Sequence, residues 1–118
     1  MAHSDFTVME KLLSTRYPIT KIFGVTNLLK DIHTLREQRF QGTDTTLLSC
    51  ILIDFERLIE KARLTIRQQE ALFLHFELDF TQAEVAEVMD VSQQAVSKHI
   101  DNAIAKIVIV AKEEDNKQ

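Results

Sequence analysis

Residues 81–106 decide the fold, and their sequence is TQAEVAEVMDVSQQAVSKHIDNAIAK. Thr81 is followed three residues later by Glu84, and Ser92 precedes a second run of helical apolar spacing. This pattern predicts two helices with capped starts in close succession. Asp90 stands where the chain must turn between them, and Asp tolerates a positive φ better than most residues other than glycine. The segment therefore predicts a helix-turn-helix.

The second predicted helix separates its polar and apolar side chains onto opposite faces. At 100° per residue, the polar side chains of its first two turns lie together. They are Gln93, Gln94, Ser97 and Lys98, which we call the recognition face. Gln can bond adenine bidentately, Ser can bond bases or phosphate, and Lys can reach phosphate or guanine. An ordinary amphipathic hairpin whose polar face meets solvent would show the same pattern.

Other residues of this segment are candidate DNA contacts by their positions. In a helix-turn-helix the second helix enters the major groove, and the first helix crosses the DNA backbone. Thr81 and Gln82 begin the first helix, and Ser92 begins the second. His99 flanks the recognition face and is a candidate phosphate contact, although a solvated histidine fits the pattern equally well.

Helical spacing continues towards the N-terminus. It predicts amphipathic helices over residues 20–38 and 45–62, a weak helix over 5–15, and a loop over 40–44. The apolar stripe of residues 45–62 is wide enough to require two packing partners.

Two more features complete the predicted fold. Thr65 with Gln68 predicts another capping box. The helix that begins after Ser92 is expected to run to about residue 111, through the β-branched run 107–110, for which a strand is the alternative. The expected fold class is all-α, with five to six helices and a C-terminal helix-turn-helix.

Composition is consistent with this fold. The chain has 118 residues, of which 45% are hydrophobic and 27% charged, a balance typical of a soluble globular domain. Two glycines and one proline are too few for a sandwich or barrel of many short strands. No apolar run is long enough to span a membrane, and the first residues do not form a signal peptide. We expect a cytoplasmic protein of a bacterial cell.

No enzymatic constellation stands out. The four histidines show no metal-ligand spacing, and the two glycines cannot form a phosphate-binding loop. Cys50, the only cysteine, lies in an apolar helix without a neighbouring base, which predicts a buried, inert thiol. The sequence predicts no enzyme activity, no metal site and no cofactor.

The run LTIRQQEALFL at residues 64–74, taken together with residues 80–100, resembles region four of bacterial sigma factors. It is still more similar to the small sigma-like regulators of phages and prophages, including late-gene activators. The resemblance covers about residues 62–110. It implies that the helix after Ser92 binds the major groove, that Arg67 can reach the DNA backbone, and that bacterial RNA polymerase is a partner. Residues 1–60 do not resemble sigma region two, so a complete sigma factor is not expected.

Charge limits how such a protein can act. Residues 61–118 carry seven Lys and Arg against ten Asp and Glu, a net charge of −3. Because non-specific DNA affinity comes from neutralising phosphates, one such unit is expected to bind weakly. A homodimer with two recognition helices, or recruitment by a DNA-bound partner, would compensate. The apolar stripes of residues 20–62 and 108–110 are either a dimer interface or the protein's own core.

These observations divide the chain into three parts. We expect a helical N-terminal part over residues 1–62 for dimerisation or partner contact, a DNA-binding domain over 63–112, and a polar tail over 113–118. The predicted function is a sequence-specific transcription regulator that binds double-stranded DNA, a phage or prophage activator acting with host RNA polymerase. The alternative is a protein-interaction module, an anti-activator or adaptor, that keeps the sigma-like fold but binds polymerase or a repressor.

Overall fold

The computed structural model describes residues 14–39 and 46–117. Residues 14–16 are helical. After them come five α-helices with both ends described, namely α1 (Ile22–Arg39), α2 (Thr46–Ala62), α3 (Ile66–Leu72), α4 (Gln82–Met89) and α5 (Gln93–Asn116). A π-helical turn, Phe73–Glu77, extends α3. The described residues contain no strand, and the β-branched run 107–110 is helical, so the all-α prediction is confirmed. The loop expected over 40–44 and nearly all of the weak helix expected over 5–15 lie outside the described residues.

The start of α1 is fixed by a close approach to Pro18. The backbone N–H of Lys21 donates to the Pro18 carbonyl at 3.0 Å. A Cβ on Gly24 would lie 2.0 Å from that same carbonyl oxygen, so glycine is required for this contact. The neighbouring Tyr17 is buried, and its hydroxyl donates to Asp31 of α1 at 2.7 Å. These contacts hold the segment before α1 against the helix.

Helix α2 has two packing partners, as the width of its apolar stripe predicted. It packs against both α1 and α5. Leu52, Phe55 and Leu58 are at most 2% exposed. Cys50, in contrast, is exposed, so the prediction of a buried thiol is wrong. Two residues correspond to 200° of helix, which places Cys50 on the side of α2 opposite Leu52.

Helix α5 is the longest element and packs against all the other α-helices. Seven of its residues are buried: Val96, Ile100, Ala103, Ile104, Ile107, Val108 and Ala111. It ends at Asn116, five residues beyond the expected end. In its last turns Glu114 pairs with Lys61 and Arg57 of α2.

One buried core joins the described helices. The stripe of α1, which includes Val25, Leu28 and Ile32, is at most 6% exposed, and Val108 is buried with it. The sequence left these stripes as either a dimer interface or the protein's own core, and in the structure their buried residues belong to the core. Ile109, in the 108–110 run on α5, is instead 55% exposed.

None of the helices in the described part of the chain combines the length and apolarity needed to cross a membrane.

Candidate nucleic-acid interface

Helix α4 begins at the predicted capping box. The Thr81 hydroxyl accepts from the backbone N–H of Glu84 at 3.2 Å, and the Thr81 N–H donates to the Glu84 carboxylate at 3.0 Å. Hydrogen bonding to the Glu84 carboxylate, from the Thr81 backbone first and then from the Thr81 side chain, lowers the pKa of Glu84 below its usual value. The box satisfies two of the N–H groups that a helix start leaves without partners. It fixes the end of α4 that would face the DNA backbone.

The turn between the two helices is a Schellman motif centred on Asp90. Asp90 has φ 57° and ψ 47°, the left-handed conformation that its position predicted. Its N–H donates to the Glu87 carbonyl at 3.3 Å, and the N–H of Val91 donates to the Ala86 carbonyl at 3.1 Å. This pair of bonds closes α4 and sets the direction of the chain into α5.

Helix α5 then starts at its predicted cap. Ser92 has extended backbone angles, φ −73° and ψ 157°, and its hydroxyl accepts from the N–H of Ala95 at 3.1 Å. Because the side chain of Ser92 caps α5, the first turn of this helix needs no neighbouring element to satisfy that N–H group and can remain at the surface.

The recognition face is available for binding. Gln93, Gln94 and Lys98 are exposed, and Ser97 is half-buried. No described residue pairs with any of these four side chains. Val96 and Ile100, on the opposite side of the same turns, are buried at 0% and 4% exposure. The polar and apolar faces that the sequence predicted are thus separated in the structure.

The other predicted contacts occupy different positions. Thr81 is exposed but committed to its capping box, and Gln82 is half-buried at the start of α4. His99 is half-buried on α5. Arg67 lies on α3, where its Nη1 donates to the Met89 carbonyl at 3.3 Å.

Arg67 thus has a structural role that the sequence did not indicate. Its guanidinium also lies 3.5 Å from the Glu70 carboxylate. By bonding the last carbonyl of α4, Arg67 ties α3 to the helix-turn-helix at the turn itself. Its side chain is 52% exposed, and a guanidinium carries five N–H donors, so donors remain for a phosphate.

A second contact that the sequence did not indicate connects α3 with α5. Gln68, the buried partner in the Thr65 capping box, also accepts from the Lys106 ammonium at 3.1 Å. This bond crosses between helices 38 residues apart in the chain, and no local spacing signals it. Together with the Arg67 contact it holds α3 as a brace behind α4 and α5.

The charge around the recognition face is mixed. Exposed Glu87 and Asp90 lie at the C-terminal end of α4, and exposed Asp101 lies one turn after Ser97. Lys98 is the one basic side chain among the four residues of the recognition face. This surface is therefore better suited to hydrogen bonding through its Gln and Ser side chains than to electrostatic attraction of phosphates.

A comparison with protein families identifies this arrangement. Residues 56–107 match the family model of Sigma-70, region 4. This matched part of the chain is a sigma region 4 helix-turn-helix domain. The match begins within α2 and ends within α5, so it leaves out α1 and the last turns of α5. Sigma region 4 is a DNA-binding type of domain, in agreement with the resemblance that the sequence showed. No curated protein and no solved structure matches the chain.

Proposed function

We propose that the chain is a sequence-specific transcription regulator whose α5 enters the major groove of double-stranded DNA. The observation that carries this proposal is the unpaired recognition face at the capped start of α5, set by the left-handed turn at Asp90. Gln93 and Gln94 in the first turn are the proposed base contacts, and Ser97 and Lys98 follow in the second turn. Thr81, Gln82, Arg67 and His99 are the proposed contacts to the backbone of the DNA.

The proposal extends to the setting of this activity. Sigma region 4 suggests association with RNA polymerase, and we propose a phage or prophage activator that acts with the host enzyme in the bacterial cytoplasm. A weakly basic recognition face supports a protein that is recruited, because a partner already on the promoter raises the local concentration of the domain.

We also propose that the protein binds DNA as a homodimer, since two domains would double the number of phosphate contacts. The buried stripes of α1 and α2 cannot supply the interface. Exposed apolar side chains remain at Ile53 of α2 and Ile109 of α5, which are 59% and 55% exposed.

Selection of bound duplexes from a random-sequence pool tests the proposal. We expect an enriched motif, and an inverted repeat with half-sites about 10 bp apart for a dimer. The double variant Gln93→Ala, Gln94→Ala should lose preference for that motif while keeping its affinity for unrelated DNA. Lys98→Ala should weaken binding to both and reduce the salt dependence by about one unit of slope. If the pool shows no enrichment, sequence-specific binding is refuted.

A second candidate function is favoured by the charge. A net charge of −3 over residues 61–118 suits a module that binds RNA polymerase or a repressor, as do the exposed Ile66 of α3 (74%) and Phe73 at the start of the π-helical turn (53%). Ile66 and Phe73 are seven residues apart and share one face of the helix. Retention of purified RNA polymerase, with no retention on heparin or bulk DNA at low salt, would support this alternative over DNA binding.

A further inference from the structure

A groove separates α1 from the helix-turn-helix. It encloses about 500 Å³. Ile22, Thr26 and Lys30 line its α1 side, and Gln82 and Asp101 line the opposite side. The three α1 residues are spaced by four, so they follow one another along one face of the helix. That face of α1 therefore runs beside the domain and is not covered by it.

The groove borders the proposed DNA surface at two points. Gln82 is the first residue of α4, the end that docking places against the DNA backbone. Asp101 lies one turn after Ser97, on the side of α5 that carries the recognition face. DNA that contacts Ser97 and Gln82 would therefore pass the mouth of the groove, close to α1.

Lys30 is the unused cation at this position. Its side chain is exposed, and no described residue forms a hydrogen bond or an ion pair with it, although its charge contributes to the lowered pKa of Asp31. Two arginines near it are engaged within the protein, since Arg16 pairs with Asp31 and Arg36 pairs with Glu77. A free ammonium on the flank of an acidic DNA-binding domain is well placed to neutralise a phosphate.

We propose that Lys30 binds a phosphate of the DNA strand that passes Gln82, so that α1 is part of the DNA interface. The inference rests on the proposed function and adds to it a contact from outside the region that matches sigma region 4. The partner is the sugar–phosphate backbone, so Lys30 contributes affinity without sequence preference. Asp101 opposes the same phosphate from the other side of the groove.

Binding of the full chain to a labelled mixed-sequence duplex, followed by fluorescence anisotropy from 50 to 200 mM salt, tests this proposal. Each phosphate contact contributes about 0.9 to the slope of log affinity against log salt. Raising the salt fourfold should therefore weaken DNA binding by the Lys30→Gln variant about 3.5-fold less than it weakens binding by the wild-type protein. Lys112→Gln is the matched control, because Lys112 is also exposed and lies about 21 Å along α5 from Lys98. Its slope should equal that of the wild-type protein.

The outcomes separate this inference from the proposed function. If the wild-type protein binds the duplex and Lys30→Gln has the same slope as Lys112→Gln, only the role of Lys30 is overturned. If the wild-type protein does not bind duplex DNA at 50 mM salt, the proposed function fails as well. Asp101→Asn should bind severalfold more tightly, and an unchanged affinity would contradict the placement of DNA beside the groove. Circular dichroism melting verifies that each surface variant is folded.

Discussion

Replacing Asp90 by glycine should stabilise the protein, and the size of the gain follows from the turn. Asp90 adopts φ 57° and ψ 47° within the Schellman motif. The left-handed conformation costs an L-residue roughly 1–2 kcal/mol, with Asp near the lower limit, and glycine pays no such cost. The Asp90 carboxylate also lies at the negative end of the α4 dipole, an exposed repulsion of about 0.3 kcal/mol. Glycine loses roughly 0.5–1 kcal/mol through greater freedom in the unfolded chain. The net gain is about 0.5 kcal/mol.

Thermal unfolding by circular dichroism measures this gain. An unfolding entropy of about 2.1 cal/mol/K per residue gives about 0.25 kcal/mol/K for this chain, so Asp90→Gly should raise Tm by about 2 °C. Asp90→Asn isolates the charge, since Asn also tolerates the left-handed region, and should raise Tm slightly. In Asp90→Ala the alanine must adopt the same left-handed backbone, which it tolerates less well than Asp, so this variant should have a lower Tm.

The order of the four proteins is the decisive result. We expect Gly and Asn above the wild-type Asp, and Ala below it. If Asp90→Gly melts at or below the wild-type temperature, the left-handed backbone is not the main cost at this turn. If Asp90→Ala melts highest, the conformation itself is wrong. Because glycine preserves the crossing of α4 and α5, the proposed DNA binding should survive in Asp90→Gly.

Three further predictions test other parts of the fold. Gly24→Ala should destabilise by about 2 kcal/mol, although Ala normally favours a helix, because the new Cβ meets the Pro18 carbonyl; a raised Tm would refute this. Ser92→Ala should cost about 1 kcal/mol in urea unfolding and Ser92→Gly only a few tenths, whereas equal losses would contradict capping by the hydroxyl. The hydrogen bond from Tyr17 chiefly lowers the pKa of Asp31, so its stabilisation is present above the ordinary carboxyl pKa and is lost as pH falls through the lowered value. Between about pH 5 and 2.5 the wild-type Tm should therefore fall more steeply than that of Asp31→Asn, and parallel curves would contradict this.

The starts of the helices could be predicted from the sequence because a capping box requires only two side chains three residues apart. Thr65 with Gln68, and Thr81 with Glu84, form the predicted boxes. Ser92 caps α5 as expected. Such local signals do not depend on the remainder of the fold, and the recognition face follows from them by helical geometry alone.

The ends of the helices were harder to predict. Arg63 after α2 and Asp79 after the π-helical turn have φ 50° and 59°, as Asp90 has 57°. With two glycines in 118 residues, the chain makes these turns with other residues. Arginine has no intrinsic preference for positive φ, so packing on both sides of the turn must impose it at Arg63. The sequence signalled only the position of Asp90, where a helix-turn-helix already required a turn.

Periodicity shows which face of a helix is buried but not what buries it. The stripes of α1 and α2 fitted either a dimer interface or a core, and in the structure their buried residues join one core with α5. The hydrogen bond from Arg67 to the Met89 carbonyl could not be predicted from the sequence for the same reason. It joins residues 22 apart through a contact that depends on how α3 and α4 pack.

The length of α5 connects the N-terminal helices with the recognition face. The match to sigma region 4 ends at residue 107, yet α5 continues without a break to Asn116. Its first turns carry the recognition face, and its last turns are held by α2 through Glu114. Because one continuous helix joins the two ends, α2 fixes the orientation of the recognition face. A movement of α2 relative to α3 would tilt that face, so we expect the packing of α2 against the last turns of α5 to set the angle of the recognition face relative to α3.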